Sequence, residues 1–150
     1  MSTNRKKQLL DAVTSQIEKL RKQTENITAT AKSYKDSSRS EEGDRAIFEN
    51  TAVAARKNLE RALALEKEIN SAPTTPTPIV SIPCYVKVKF NDQSEKELYL
   101  FNNNIFITGF LLVTPESDFG KEIMRKKVMD TFKYVGVNGK IIEGTILQID

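Results

Sequence analysis

The chain has 150 residues, of which 39% are hydrophobic and 29% are charged, and its formal net charge is +3. A charge this small does not by itself indicate nucleic-acid binding. The lack of histidine excludes Ser-His-Asp and Cys-His catalysis, and the presence of only one cysteine excludes an internal disulfide. No run approaches the about 18 apolar residues of a membrane span, and the N-terminus lacks the apolar region of a signal peptide, so we expect a cytoplasmic protein without membrane contact.

Two long heptad patterns occupy the first half of the chain. One repeats core positions at alternating steps of three and four from Leu10 to Tyr34, and the other runs from Phe48 to Ile69 with one slip. This spacing keeps one face of an α-helix apolar over more than three heptads. Because only a short polar segment separates the patterns, we predict an antiparallel coiled-coil hairpin over residues 1–72.

The turn of this predicted hairpin, near residues 36–49, concentrates carboxylates: Glu41, Glu42, Asp44 and Glu49. Helices of about 28 to 31 residues form an arm roughly 42 to 46 Å long, so the acidic tip is expected far from the rest of the chain. Such a cluster can be a solvated turn in which Asp44 caps the second helix. Alternatively the carboxylates bind a metal, and without histidine this would be a hard cation such as magnesium.

A proline-rich segment divides the chain. Residues 73–78 contain three of the five prolines. Proline lacks a backbone donor and disfavours helical backbone in the residue before it, so no helix or central strand can cross this segment. We predict a linker at residues 73–78 and a second domain at residues 79–150.

Strand-like alternation characterises this second half. Polar turn residues separate the apolar runs, and Ser117 or Asp118 is suited to cap a short helix that turns Ile123 inward. The pattern predicts five mostly antiparallel strands with one helix, an α+β domain. The predicted strands are 85–90, 96–101, a buried central strand at 105–113, 130–135 and 140–149.

Two short motifs follow the third predicted strand. Ser117 and Gly120 keep the spacing of a Ser-Pro-x-Gly-like loop. The segment 125–130, RKKVMD, matches a Gly-Lys-Lys-x-Gly-Asp-like turn, with Arg125 and Met129 at the two glycine positions. Together with the order of hairpin, linker and small sheet domain, these motifs resemble the Gre-type (GreA/GreB) transcript cleavage factors, of which the chain would be a divergent member with an FKBP-like sheet domain.

The resemblance implies a transcription factor that binds RNA polymerase at its secondary channel and regulates elongation. The sheet domain would dock at the rim of the channel, and the hairpin would enter it. Asp44, helped by Glu41, Glu42 or Glu49, would then assist the polymerase, sharing its magnesium ion. The chain would be an accessory factor rather than an enzyme, a monomer with no tightly bound cofactor, and would meet nascent RNA or DNA only indirectly. The implied docking residues are Pro115, Ser117, Asp118, Phe119 and Gly120.

One departure from the family pattern concerns the tip. The family has an acidic residue three positions after the aspartate, where this chain has Ile47, and Arg45 next to Asp44 would repel a metal ion. The sequence therefore leaves open whether the factor stimulates cleavage or acts as a non-cleaving channel-binding regulator. An alternative from another class is an FKBP-like protein-binding or chaperone module, since such sheets can host peptide pockets.

Overall fold

The computed structural model describes residues 1–36 and 42–150, and side chains at residues 1–29, 47 and 49–150. Helices α1 (Thr3–Asp36) and α2 (Glu42–Ser71) precede a sheet domain that also contains the short helix α3 (Asp118–Ile123). This is the predicted α+β arrangement. No helix in the described part of the chain is long and apolar enough to cross a membrane. The strands are β1 (Cys84–Phe90), β2 (Glu95–Leu100), β3 (Leu112–Val113), β4 (Thr131–Val135) and β5 (Ile141–Ile149).

The two long helices pair in antiparallel orientation. The Lys6 ammonium near the start of α1 donates to the carbonyl oxygens of Asn70 and Ala72, at 2.8 Å each, at the end of α2. Further along, the Thr14 hydroxyl lies 3.5 Å from a Glu66 carboxylate oxygen. The antiparallel pairing predicted from the short connection between the two heptad patterns is therefore confirmed.

Most buried side chains of the two helices lie near the base of the hairpin. Among the described side chains they are Leu9, Val13 and Ile17 in α1 and Ala62, Leu65 and Ile69 in α2, while Ala52 of α2 is buried further along. Leu10, predicted at the core seam, is only partly buried, and Leu9 is buried in its place. The reason is that the base of α1 packs in one cluster with sheet residues as well as with α2.

One apolar cluster joins the hairpin to the sheet, and a second fills the other face of the sheet. On β1, Tyr85 belongs to the cluster with the helices, whereas Cys84, Val86 and Val88 face the cluster beneath α3. This is the alternation expected of a strand. The sheet residues of the shared cluster are Tyr85, Tyr99, Phe101, Ile107 and Leu112. The hairpin and the sheet therefore share part of their core.

The sheet has the strand order β3-β2-β1-β5-β4 and is mixed. Neighbouring strands pair antiparallel, except that β3 pairs with β2 in parallel. The prediction of a buried central strand at 105–113 is wrong, because only Leu112–Val113 are in a strand and they lie at the edge. A turn interrupts the run, with the N–H of Phe110 donating to Ile107 O at 3.2 Å and Gly109 at a left-handed φ of +87°.

Residues 72–83, between α2 and β1, carry no helix or strand segment, only an isolated bridge between Ile79 and Lys127. Two of the turns predicted from polar residues and glycine, at residues 91–94 and 136–139, are present. The N–H of Phe90 donates to Ser94 O at 2.8 Å before β2, and the N–H of Gly136 donates to Lys140 O at 2.8 Å before β5.

Candidate functional site

Of the two cap candidates predicted from the sequence, Ser117 is the N-cap of α3, and Asp118 is the first residue of the helix. Its backbone is extended, with φ −68° and ψ 155°, and its hydroxyl oxygen accepts the N–H of Gly120 at 3.0 Å. The same hydroxyl donates to Thr114 O at 2.8 Å. One side chain therefore satisfies an N–H at the helix start and ties the helix to the preceding loop.

Gly120 is required by a close approach of the backbone. A Cβ at this position would lie 2.0 Å from Thr114 O and 2.9 Å from the Ser117 hydroxyl oxygen. The missing side chain lets the first turn of α3 rest against the loop, and Ile123, one turn later, is fully buried. The spacing of Ser117 and Gly120 therefore has a local structural cause.

Phe119 belongs to a group of aromatic rings on the α3 side of the sheet. Its ring is stacked on Tyr134 with centroids 4.8 Å apart and an interplanar angle of 20°, and it lies 5.3 Å from Phe132. Phe90 completes the group at 5.8 Å from Phe132. Phe119 is nevertheless only partly buried. Its ring packs against the core and remains partly accessible to solvent.

The five residues that the resemblance assigns to docking lie together in this loop and the first turn of α3. Asp118 is exposed, whereas Pro115 and Phe119 are partly buried. Ser117 and Gly120 shape the loop through the contacts above. The side-chain surface that a partner can reach is therefore formed by Asp118 and by the accessible parts of Pro115 and Phe119.

The turn after α3 has an unusual backbone for its residue types. Arg125 and Met129 adopt φ values of 64° and 73°, although neither is glycine. The N–H of Arg125 donates to Val80 O at 2.9 Å, and the N–H of Met129 donates to Ile146 O at 2.7 Å. The carboxylate of Asp130 accepts the backbone N–H of Lys127 at 2.8 Å and so closes the turn. Contacts with two other segments thus hold this turn in place.

The tip residues are only partly within the described structure. Glu41 lies outside the described residues, and the side chains of Glu42 and Asp44 are likewise not described. Because α2 begins at Glu42, Asp44 lies inside its first turn rather than before the helix, so it is not the N-cap. Glu49 is exposed, five residues beyond Asp44 and therefore on a different side of the helix.

Ile47 stands three residues after Asp44, where a helix places side chains on the same face. Its side chain is 64% exposed, so it is not held by the core. Of positions 44 and 47, only Asp44 carries a carboxylate, so this pair of positions supplies at most one carboxylate ligand for a magnesium ion. Among the described residues, no group of three or more His, Cys, Asp or Glu side chains could hold a metal ion. Of the four tip carboxylates, only the Glu49 side chain is among those described, so the magnesium site shared with the polymerase stays a prediction.

A cavity of about 420 Å³ lies on the sheet between the β1–β2 turn and the β4–β5 hairpin. Its walls include Phe90, Tyr134 and Ile141, and its rim carries Asp92 and Lys96. This volume falls in the range of ligand pockets. It is one concavity that a peptide could occupy under the peptide-binding alternative.

Comparisons with known proteins give likenesses to solved structures only. No protein-family model matches the chain, and no curated protein matches it. The chain is similar to the prokaryotic transcription elongation factor GreA/GreB from Nitrosomonas europaea, with 16% identity and a TM-score of 0.42 over 59% of this chain and 78% of that one. It is also similar to Gfh1 of Thermus aquaticus, with 15% identity and a TM-score of 0.42 over 93% and 92% of the two chains. A third is GreA factor homolog 1 of Thermus thermophilus, with 15% identity and a TM-score of 0.38 over 94% of each chain. Similarities this low do not transfer a function.

Proposed function

We propose that this chain is an accessory transcription factor of the Gre type, which binds RNA polymerase through the sheet domain and reaches into its secondary channel with the hairpin. The observation that carries the proposal is the backbone at Arg125 and Met129. The resemblance puts the two glycines of the family turn at these positions, and both residues have the left-handed φ that glycine adopts without strain. Because positive φ is uncommon for other residues, agreement at both positions supports the match.

The hairpin has the length that such a role needs. Helix α1 has 34 residues, which corresponds to about 51 Å. Its buried described side chains end at Ile17, and Leu20, Thr24 and Ile27 beyond it are only partly buried. The base is thus held by the sheet, and this supports an arm that carries Asp44 away from the docking surface.

Between the two modes left open by the sequence, we favour a channel-binding regulator that does not stimulate cleavage. The exposed side chain of Ile47 favours this mode, because it occupies the position at which the family has its second acidic residue. A carboxylate pair would be needed to bind and orient a metal ion and its water. Asp44 would then act through polar contacts with the polymerase.

Binding of the full-length chain to purified core RNA polymerase, with competition by a known secondary-channel factor, tests the proposal. Because the hairpin and sheet share a core, surface substitutions are more informative here than separated halves. We expect competitive binding that Asp118→Lys weakens at least about tenfold, a loss of about 1.4 kcal/mol. Asp11→Lys, the same charge reversal at an exposed position of α1, should leave the affinity unchanged.

Failure to bind, or binding without competition, would contradict the proposal. The peptide-binding alternative makes a different prediction. Under it, the chain would bind unfolded polypeptides, and Ile141→Asp in the wall of the cavity would abolish that binding while Asp118→Lys would not.

A further inference from the structure

The carboxylate of Glu68, near the end of α2, holds the segment that follows β2. One of its oxygens accepts the N–H of Asn102 at 2.8 Å, and the other accepts the N–H of Asn103 at 2.8 Å. The side-chain amide of Asn103 donates to that second oxygen as well. Three donors from two consecutive residues use both oxygens and so define the position and plane of the carboxylate.

A second tie joins α1 to the end of the last strand. The Arg5 guanidinium donates to a carboxylate oxygen of Asp150 at 2.9 Å, and the same oxygen accepts the N–H of Ser2 at 3.2 Å. The guanidinium also lies 3.9 Å from the ring centroid of Tyr85. Asp150 and Tyr85 exchange two backbone hydrogen bonds of 2.9 Å, so this anchor belongs to the sheet.

These ties add direction to a contact that is otherwise apolar. Burial of apolar surface is not directional, and the shared cluster would tolerate small changes in how the hairpin leans on the sheet. Hydrogen bonds to named atoms tolerate much less, because they weaken steeply with misalignment. With one tie on each helix, both the tilt of the hairpin and its rotation about its own axis are restrained.

We infer that Glu68 is a positioning residue that sets the angle between the hairpin and the sheet domain. The 24 residues from Glu68 to Asp44 span about 36 Å, so a tilt of about 10° at the base would move the tip by about 6 Å. A displacement of this size exceeds the length of a hydrogen bond. The consequence for transcription rests on the proposed function, whereas the angle itself does not.

Distances between two spin labels on the full-length chain test this inference. We choose Ala54→Cys on α2 and Lys140→Cys in the β4–β5 turn, both at exposed positions, while the native Cys84 is buried. A tilt of about 10° at Glu68 moves residue 54 by roughly 4 Å, which pulsed electron paramagnetic resonance resolves. Glu68→Ala should broaden or shift the distance distribution. Glu68→Gln, which keeps one acceptor oxygen, should do so less.

The matched control is Glu60→Ala, which removes an exposed carboxylate from the same helix and should leave the distribution unchanged. Asn103→Ala, which removes the amide donor from the other side of the contact, should again broaden it. An unchanged distribution in Glu68→Ala would overturn the inference. So would loss of the folded circular dichroism spectrum in both Glu68 variants, because the residue would then serve stability rather than position. The measurement contains no polymerase, so its failure is distinguishable from a failure to bind polymerase.

Discussion

The Ser117 hydroxyl oxygen lies 3.0 Å from the backbone nitrogen of Gly120, and this contact joins the start of α3 to the loop before it. Both residues also meet the same carbonyl, Thr114 O, which accepts the Ser117 hydroxyl and leaves no room for a side chain at position 120. The loop is therefore closed on itself. Asp118 and Phe119 lie between the two residues, so the closed loop also restrains their backbone.

Gly120→Ala should be among the most destabilising single substitutions in the sheet domain. We expect the free energy of unfolding to fall by about 3 kcal/mol, the upper end of the range for overpacking, because a backbone carbonyl cannot move aside cheaply. Gly139→Ala is the control, since it has a φ of +74° but no neighbour within 4 Å, and it should cost about 1 kcal/mol. Urea denaturation measures both. Equal losses would mean that the contact with Thr114 O is not tight in solution.

Met129→Gly and Arg125→Gly should stabilise the protein. A left-handed backbone costs a residue with a side chain roughly 1–2 kcal/mol, and the greater freedom of glycine in the unfolded chain offsets part of the gain. We expect a rise of up to about 1 kcal/mol for each in the free energy of unfolding. Met129 is 71% exposed, so little packing is lost. Lys127 lies between these two positions and does not have a positive φ, so Lys127→Gly should lower the free energy of unfolding. A change of the same sign at all three positions would contradict the explanation.

Cys84 should be unreactive in the folded protein. Burial raises the pKa of its thiol to about 11, so roughly a thousandth of it is thiolate at pH 8. A disulfide reagent should react slowly in buffer and rapidly in guanidinium chloride, and fast reaction without denaturant would contradict the burial. Because the folded-state pKa is raised, the stabilisation from the buried thiol is fully present below about pH 9 and is lost as the pH rises towards 11.

The two modes of action at the tip are separated by substitutions at positions 44 and 47. Asp44→Asn should remove the effect on paused transcription complexes at matched occupancy without weakening binding, because the proposed function assigns docking to the sheet domain. Ile47→Glu should raise transcript cleavage, since it places two carboxylates three residues apart on one helix face. Ile47 is exposed, so this change should alter stability by no more than about 0.5 kcal/mol. Activity of Asp44→Asn equal to wild type would remove the carboxylate from the mechanism.

The sequence by itself determined the elements whose signal is local. The heptad steps predicted α1 and α2, because side chains three and four residues apart share a helix face. The alternation of Val86 and Val88 with Lys87 and Lys89 predicted a strand, and the structure shows that Tyr85 and Val86 pack into different clusters. Ser117 was recognisable as a cap because its hydroxyl acts within three residues. The motifs around positions 117 and 125–130 suggested the function that we propose.

Tertiary structure decided the features that depend on distant partners. The apolar run at 105–113 has the sequence pattern of a central strand. In the structure, Ile107 packs with the hairpin base, and only Leu112 and Val113 pair with β2. No local sequence pattern specifies either contact. The sequence around Glu68 does not indicate that it contacts Asn102 and Asn103, which are 34 and 35 positions away. The left-handed backbone at Arg125 runs against the intrinsic preference of arginine. Its N–H donates to Val80 O, a residue distant in sequence, and such long-range contacts can outweigh a local conformational preference.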